Sequence, residues 1–284
     1  MTLRELHPVG HDYLQVATRL LQDARRAEPN GGVWEAADLH WWWRVDQHDD
    51  PDMQSIWADG DRPVVGATFT RWKESLGCDL LGTDAAVSEH AGVLWDYVRA
   101  RFTDRTVEMI VRDDDPTRIA AAERAGFESA GPKMGTGWMD VGDRSPSPGL
   151  PAGMRIEAYT GGPHPMVARN GEHVAQRLAE CSLYRADLDL ALRDGDQLAG
   201  YAIFWADPVT RVGLLEPMRI EDAYQGRGLG KVLIAAGLDR LAAAGCTRLK
   251  VSYELSNEAA VRLYASAGYR ATSTERNWVR KPAS

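Results

Sequence analysis

The run Gln225-Gly226-Arg227-Gly228-Leu229-Gly230-Lys231 is the sharpest chemical feature of the 284-residue chain. It follows an apolar, strand-like run and opens a helical one. Glycines let the backbone turn and come close to a ligand, while the unpaired amides at a helix start aim N–H donors and the positive dipole end at an anion. Such a loop is suited to phosphate. The Arg227 and Lys231 side chains either add charge to that site or are solvated surface groups. A Walker A loop needs Gly at position 225 and Ser or Thr at 232, where this chain has Gln and Val; the dinucleotide pattern GxGxxG fails at Lys231. A mononucleotide or dinucleotide site is therefore not expected.

Other chemistries find little support. Cys78, Cys181 and Cys246 are odd in number and widely spaced, which excludes a disulfide framework and a CxxC site. The seven histidines form no HExxH and no Cys/His cluster, so no metal is expected. A net charge of −8 argues against nucleic acid as a partner. Residues 1–150 hold 16 basic and 26 acidic side chains, the remainder 17 and 15, so an anionic ligand would prefer the second half.

The elements that must position the loop are legible as a pattern that occurs twice. In the second half MRIEAY (154–159) alternates as a strand, residues 173–181 are helical in pattern, and YRADLDLALR (184–193), LAGYAIFWA (198–206) and RVGLLEPMRI (211–220) read as three strands joined by turns. After the loop come an apolar helix ending at Gly245, the strand RLKVSYEL (248–255), a helix from Asn257 to Gly268 and closing strands in YRATSTERNWVR. The first half repeats this order, from the helix YLQVATRLLQDARRA to a helix TRIAAAERAG and a terminal strand pair around KMGTGWMDV. Gly126 and Gly268 stand in equivalent places, 142 residues apart, but the first half has TDAAVSEH where the second has its glycine loop. Between the halves, GDRSPSPGLPAG (142–153) reads as a linker.

The spacing Gln225-x-x-Gly228-x-Gly230, with a strand before it and Asn257 and the Tyr264-to-Gly268 stretch after it, resembles the GNAT superfamily of acyl-CoA-dependent N-acyltransferases. The element order of residues 154–284 agrees with that resemblance, and the first half joins it through the duplication. It implies an α/β fold of two tandem GNAT-like domains, each a mixed, mostly antiparallel sheet flanked by helices. Residues 1–141 would be a degenerate copy lacking the phosphate loop, 142–153 the linker, and 154–284 a catalytic domain using acetyl-CoA.

By the family's pattern, backbone groups of Met218, Arg219 and Ile220 would pair with the pantetheine arm as an added strand would, and the amides from Gly226 to Lys231 would hold the pyrophosphate. Asn257 is a good helix cap and lies where family members contact the pantetheine; both roles stay open. Tyr264 stands where the superfamily commonly has a tyrosine that protonates the leaving sulfur, although an amphipathic helix also places tyrosines in a core. An ammonium must lose its proton before attack. Glu216, two residues before Met218, could be that base, bind a cationic acceptor, or pair with Arg211 or Arg219. An N–H near Met218 would polarise the thioester carbonyl.

The function so implied is transfer of acetyl from acetyl-CoA to an amine, most simply that of a small molecule. A non-catalytic acyl-CoA-binding scaffold and a mycothiol-synthase-like acetyltransferase are the alternatives. In the first half Ala122 stands opposite Tyr264, which suggests a silent copy. Eight of the ten tryptophans lie in that half, and Trp41-Trp42-Trp43 with His40 and Arg44 either belong to a core or wall an acceptor pocket where the halves meet. No run approaches the ~20 apolar residues of a membrane span, so a cytoplasmic protein is expected, a monomer whose two copies mimic a dimer.

Overall fold

The computed structural model describes residues 3–44, 50–72 and 75–282. The chain forms two compact units, one of Met1–Leu39, Asp46–Met134 and Ser273–Ser284, the other of His40–Val45 and Gly135–Thr272. These units depart from the expected division into 1–141 and 154–284 at three places: residues 40–45, the stretch from Gly135, and the C-terminal residues from Ser273.

The first unit runs β1 (Arg4–Leu6), α1 (Gly10–Ala27), α2 (Ala36–Trp42, whose last residues join the second unit), β2 (Gln54–Asp59), β3 (Arg62–Arg71), β4 (Leu76–Leu81), α3 (Asp84–Glu89), α4 (Ala91–Ala100), β5 (Val107–Arg112), α5 (Pro116–Arg124) and the start of β6 (Glu128–Asp140). Tyr13, Leu14, Ala17, Leu20 and Leu21 recur at helical spacing along α1 and form its buried stripe. Neighbouring strands from β1 to β4 are antiparallel, and β4 and β5 are parallel.

The second unit continues with β7 (Met154–Ala158), α6 (Val167–Asn170), α7 (Val174–Ala179), β8 (Asp189–Asp194), β9 (Gln197–Ala206), β10 (Val212–Ile220), α8 (Leu229–Ala243), β11 (Arg248–Glu254), α9 (Glu258–Ala267) and β12 (Arg270–Arg280). Strands β7 to β10 are antiparallel neighbours, and β10 and β11 are parallel. The apolar faces of β8 to β11 and α8 share one core that includes Leu190, Phe204, Leu215, Leu233 and Val251. Residues 144–153 carry no helix or strand and are almost all exposed.

Two expectations need correction. KMGTGWMDV and YRATSTERNWVR do not close their own halves as strand pairs; they belong to the single long strands β6 and β12. Neither carries a turn, so each runs on as one extended segment and finds its partner from the other half: β12 pairs antiparallel with β5 from Glu275↔Arg112 to Arg280↔Val107, and β6 lies beside β11. The strand expected from Tyr184 begins only at Asp189, because Ala186–Leu188 forms a turn of 3-10 helix. The short β1 and the helix α2 carrying Trp41 and Trp42 gave no periodic signal. Among the described residues no helix is long and apolar enough to cross a membrane.

Trp278 of β12 is buried in the first unit's core with Val107, Met109 and Phe127. Trp278→Ala should therefore cost about 3–5 kcal/mol, measured by urea denaturation; an unchanged midpoint would contradict the placement of β12 in that core.

Candidate active site

β10 and β11 hydrogen-bond only from Val212↔Arg248 to Leu214↔Lys250, and then part. On its other edge β10 stays with β9, through a register shift between Leu215 and Met218 where the Glu216–Pro217 peptide is cis. The Glu221 amide donates to the Ala199 carbonyl at 3.0 Å. Antiparallel alternation then turns the backbone groups of Arg219 toward β9 and those of Met218 and Ile220 toward the gap. The Ile220 carbonyl is taken by Gln225 Nε2 at 3.1 Å, which ties the start of the loop to the strand.

The loop has Gly226 at φ +74° and Gly228 at φ +75°, left-handed backbone that favours glycine, and α8 begins immediately after. A Cβ at Gly226 or Gly228 would meet nothing within 4 Å, so the space before the loop is open. At Gly230 a Cβ would crowd Leu263 and Met218, at 3.0 and 3.3 Å, so α8 can start close against α9 and β10. The result is a groove of about 580 Å³ between the end of β10, the loop and α9. Met218, Arg219, Ile220, Gln225, Gly226, Gly228, Leu229, Gly230, Lys231, Asn257 and Tyr264 all line it. The Arg227 guanidinium lies 5.2 Å from the ring centroid of Tyr224, which also lines the groove. Asn257 caps α9, its Oδ1 accepting from the Ala260 amide at 3.1 Å.

Tyr264 sits one turn before Gly268, between Tyr253 and Tyr269 at 5.8 and 6.1 Å between ring centroids. Burial, and next the charge of Glu216, push its phenol up to about 12, so it stays protonated at neutral pH. Glu216 is thus within electrostatic reach of Tyr264. Its carbonyl accepts from Trp205 Nε1 at 2.6 Å. Neither arginine proposed as its partner takes it: Arg219 pairs with Glu221 and Asp222, and Arg211 Nε donates to the Gly245 carbonyl. Arg44, far along the chain, lies within electrostatic range of Glu216.

Arg44 comes with the tryptophan run. His40 packs edge-on against Trp205 with centroids 6.3 Å apart, and Trp43 Nε1 donates to Glu180 Oε2 at 2.9 Å, so this segment is part of the second unit. Trp41, Trp42 and Trp43 are all buried. Tyr184 packs edge-on against Trp205 with centroids 6.1 Å apart, and its hydroxyl and His164 Nε2 both donate to Asp189 Oδ2 at 2.7 Å. The Met166 amide donates to His164 Nδ1, which fixes that histidine's tautomer. All three cysteines are buried, and among the described residues no group of three His, Cys, Asp or Glu side chains could hold a metal ion.

With this geometry in place, the family comparison is decisive: residues 160–269 match the Acetyltransferase (GNAT) family. This part of the chain is a GNAT acetyltransferase domain. The chain is 25% identical over 244 residues to a mycothiol acetyltransferase of Clavibacter michiganensis subsp. michiganensis, covering 78% of each chain. A mycothiol acetyltransferase of Nocardioides sp. is 27% identical over 261 residues, covering 75% of this chain and 88% of that one. Among solved structures, a tandem GNAT protein from the clavulanic acid biosynthesis pathway superposes with a TM-score of 0.70 at 17% identity over 99% of both chains. A GCN5-related N-acetyltransferase from Sphaerobacter thermophilus superposes at 0.62 and 15% identity, over 99% of this chain and 96% of that one. The tandem GNAT fold thus extends along the whole chain.

The first unit repeats the GNAT strand parting without the groove. β4 and β5 pair only at Leu76↔Val107 and Gly77↔Glu108 before separating, and Asp115 caps α5 as Asn257 caps α9. Where the second unit has its glycine loop, Thr83 caps α3 through a bond from the Ala86 amide. Between the parted strands Trp34 Nε1 donates to Asp79 Oδ1 at 2.6 Å, and the remaining cavity is about 40 Å³. Ala122, at the position equivalent to Tyr264 in the duplication, is buried.

Burial, offset in part by the Trp34 bond and reinforced by Asp38, raises Asp79 to about 7. A carboxyl that ionises later in the folded than in the unfolded chain loses stability as pH rises from its unfolded value, near 4, to about 7. Asp79→Asn should therefore raise Tm at pH 8 and have little effect at pH 4; equal shifts at both would exclude this origin.

Proposed function

We propose that this protein transfers the acetyl group of acetyl-CoA to the amine of a small acceptor in one direct step, with the second unit holding the single cofactor site. The observation that carries the reading is that Tyr264 lines, together with the glycine loop, the groove beyond the parting of β10 and β11, with Glu216 in electrostatic range of its phenol. Acetyl-CoA supplies an activated thioester. The amides from Gly226 to Lys231 hold its pyrophosphate and the positive end of α8 favours the charge. The edge of β10 at Met218 and Ile220 receives the pantetheine arm, and Asn257 lies alongside.

Glu216 takes a proton from the acceptor ammonium, freeing the nitrogen lone pair. The Met218 amide donates to the thioester oxygen, an interaction worth on the order of 3 kcal/mol per donor in enzymes generally. The C–N bond forms, the nitrogen releases its second proton to solvent, the C–S bond breaks, and Tyr264 delivers its proton to the departing sulfur. The raised phenol suits it to remain an acid at neutral pH, and it regains its proton from solvent. The first unit is a silent copy on this reading, because its wedge is filled by the Trp34–Asp79 pair and its loop by a capped helix.

A narrower reading, that the chain acts as a mycothiol acetyltransferase, is favoured by the two relatives of that name, of which the chain covers 78% and 88%. A non-catalytic acyl-CoA-binding scaffold would use neither Tyr264 nor Glu216.

Calorimetric titration with acetyl-CoA should give one site per chain, and Gly228→Asp, which puts a carboxylate at the anion site on left-handed backbone, should weaken it at least about tenfold. Two sites, or none, would overturn the assignment. Tyr264→Phe should lower kcat by about 10²-fold or more with little change in acetyl-CoA affinity. An unchanged kcat would remove Tyr264 as the acid.

A further inference from the structure

Arg44 is an expensive residue to place where it stands. Its guanidinium lies 3.8 Å from the ring centroid of Trp41, Nε donates to Asn170 Oδ1 at 2.9 Å, and Nη1 donates to the Trp41 carbonyl at 2.9 Å. Three contacts from two elements hold the plane in one orientation. None of them neutralises it: among the described residues no carboxylate lies within ion-pair distance of Arg44, and Nη2 is left over by both hydrogen bonds. Burial disfavours its charge and Glu216 partly restores it. A half-buried, immobilised cation facing a carboxylate at longer range is costly in a folded chain unless something else completes it.

Glu216 is held in its turn through its carbonyl by Trp205, and Trp205 packs against His40, four residues before Arg44. Arg44 and the Glu216 backbone are therefore linked through one tryptophan, with the Glu216 carboxylate in electrostatic range of the Arg44 guanidinium. Guanidinium presents a planar fork whose geometry matches a carboxylate, and Nη2 with the second hydrogen of Nη1 is such a fork.

We propose that the acceptor is a zwitterion, an amine carrying its own carboxylate, with the ammonium directed at Glu216 and the carboxylate bound by Arg44. This rests on the amine-acetylating reading above and adds to it the second half of the acceptor. Arg44 is a specificity residue on this account and takes no part in the bond changes at nitrogen or sulfur. Arg44 adds a requirement that a plain alkylamine does not meet.

The test is a series of acceptors with the wild-type protein: amino acids in which amine and carboxylate are separated by one to five carbons, each beside its amide and its decarboxylated amine. At the matching length the amino acid should exceed both analogues in kcat/KM by about tenfold or more, the effect of a charge-assisted bond lost. In Arg44→Gln that preference should vanish through KM for the amino acid, and Arg44→Lys should restore part of it, with acetyl-CoA binding by calorimetry reporting that both variants are folded. Equal kcat/KM for amino acids, amides and plain amines would overturn the zwitterion while leaving amine acetylation standing. Acetylation of no amine, with acetyl-CoA bound, would overturn both.

Discussion

The site depends on two parallel strands that stop pairing. β10 and β11 share hydrogen bonds over three residue pairs and then separate, which leaves the backbone groups of Met218 and Ile220 facing a gap. A parallel pair in an α/β sheet offers its ligand site beyond the carboxyl ends of the strands, where the following helices begin. α8 begins there at Gly228 and α9 at Asn257, so two helix starts and one open strand edge surround the same space. The register shift falls where β10 leaves β11, and the glycine loop lets α8 start against Leu263 without a side chain between.

The first unit shows how much of this is architecture and how much is chemistry. It too has a parallel pair that parts, a capped helix after the second strand and a glycine in left-handed conformation at that helix's end. What differs is the content of the wedge. Trp34 reaches a buried carboxyl, a Thr-capped turn stands in place of the loop, and a space of about 40 Å³ remains where the second unit has about 580 Å³. One strand pattern supports an open groove or a filled one according to a few side chains.

Much of the site was legible because its residues are local in sequence. Gln225 to Lys231 form one loop, Asn257 and Tyr264 lie at one helix, and Met218 to Ile220 on one strand, so the loop spacing and the GNAT resemblance it carries pointed to residues that the fold then gathers around one groove. Glu216 was visible as a charge in an apolar strand, but its surroundings were not. The sequence offered Arg211 and Arg219, near neighbours along the chain; the fold brings Arg44, 172 positions away, into range. The guanidinium of Arg227 is an example of a contact that only the fold shows, stacking over the Tyr224 ring.

The sequence by itself determined the alternation of strands and helices, the duplication, the anion loop and the GNAT resemblance, because each is written in periods of two, in helical spacing, or in glycines a few residues apart. Only the tertiary structure decided that the last strand of each half pairs in the other unit, that the tryptophan run of the first half serves the second, and which charge faces Glu216. These are choices among strand edges and surface partners of nearly equal local quality. Hydrogen-bonding edges accept any extended segment, and an arginine any carboxylate within reach, so the selection rests on how whole faces bury together and leaves no local mark in the chain.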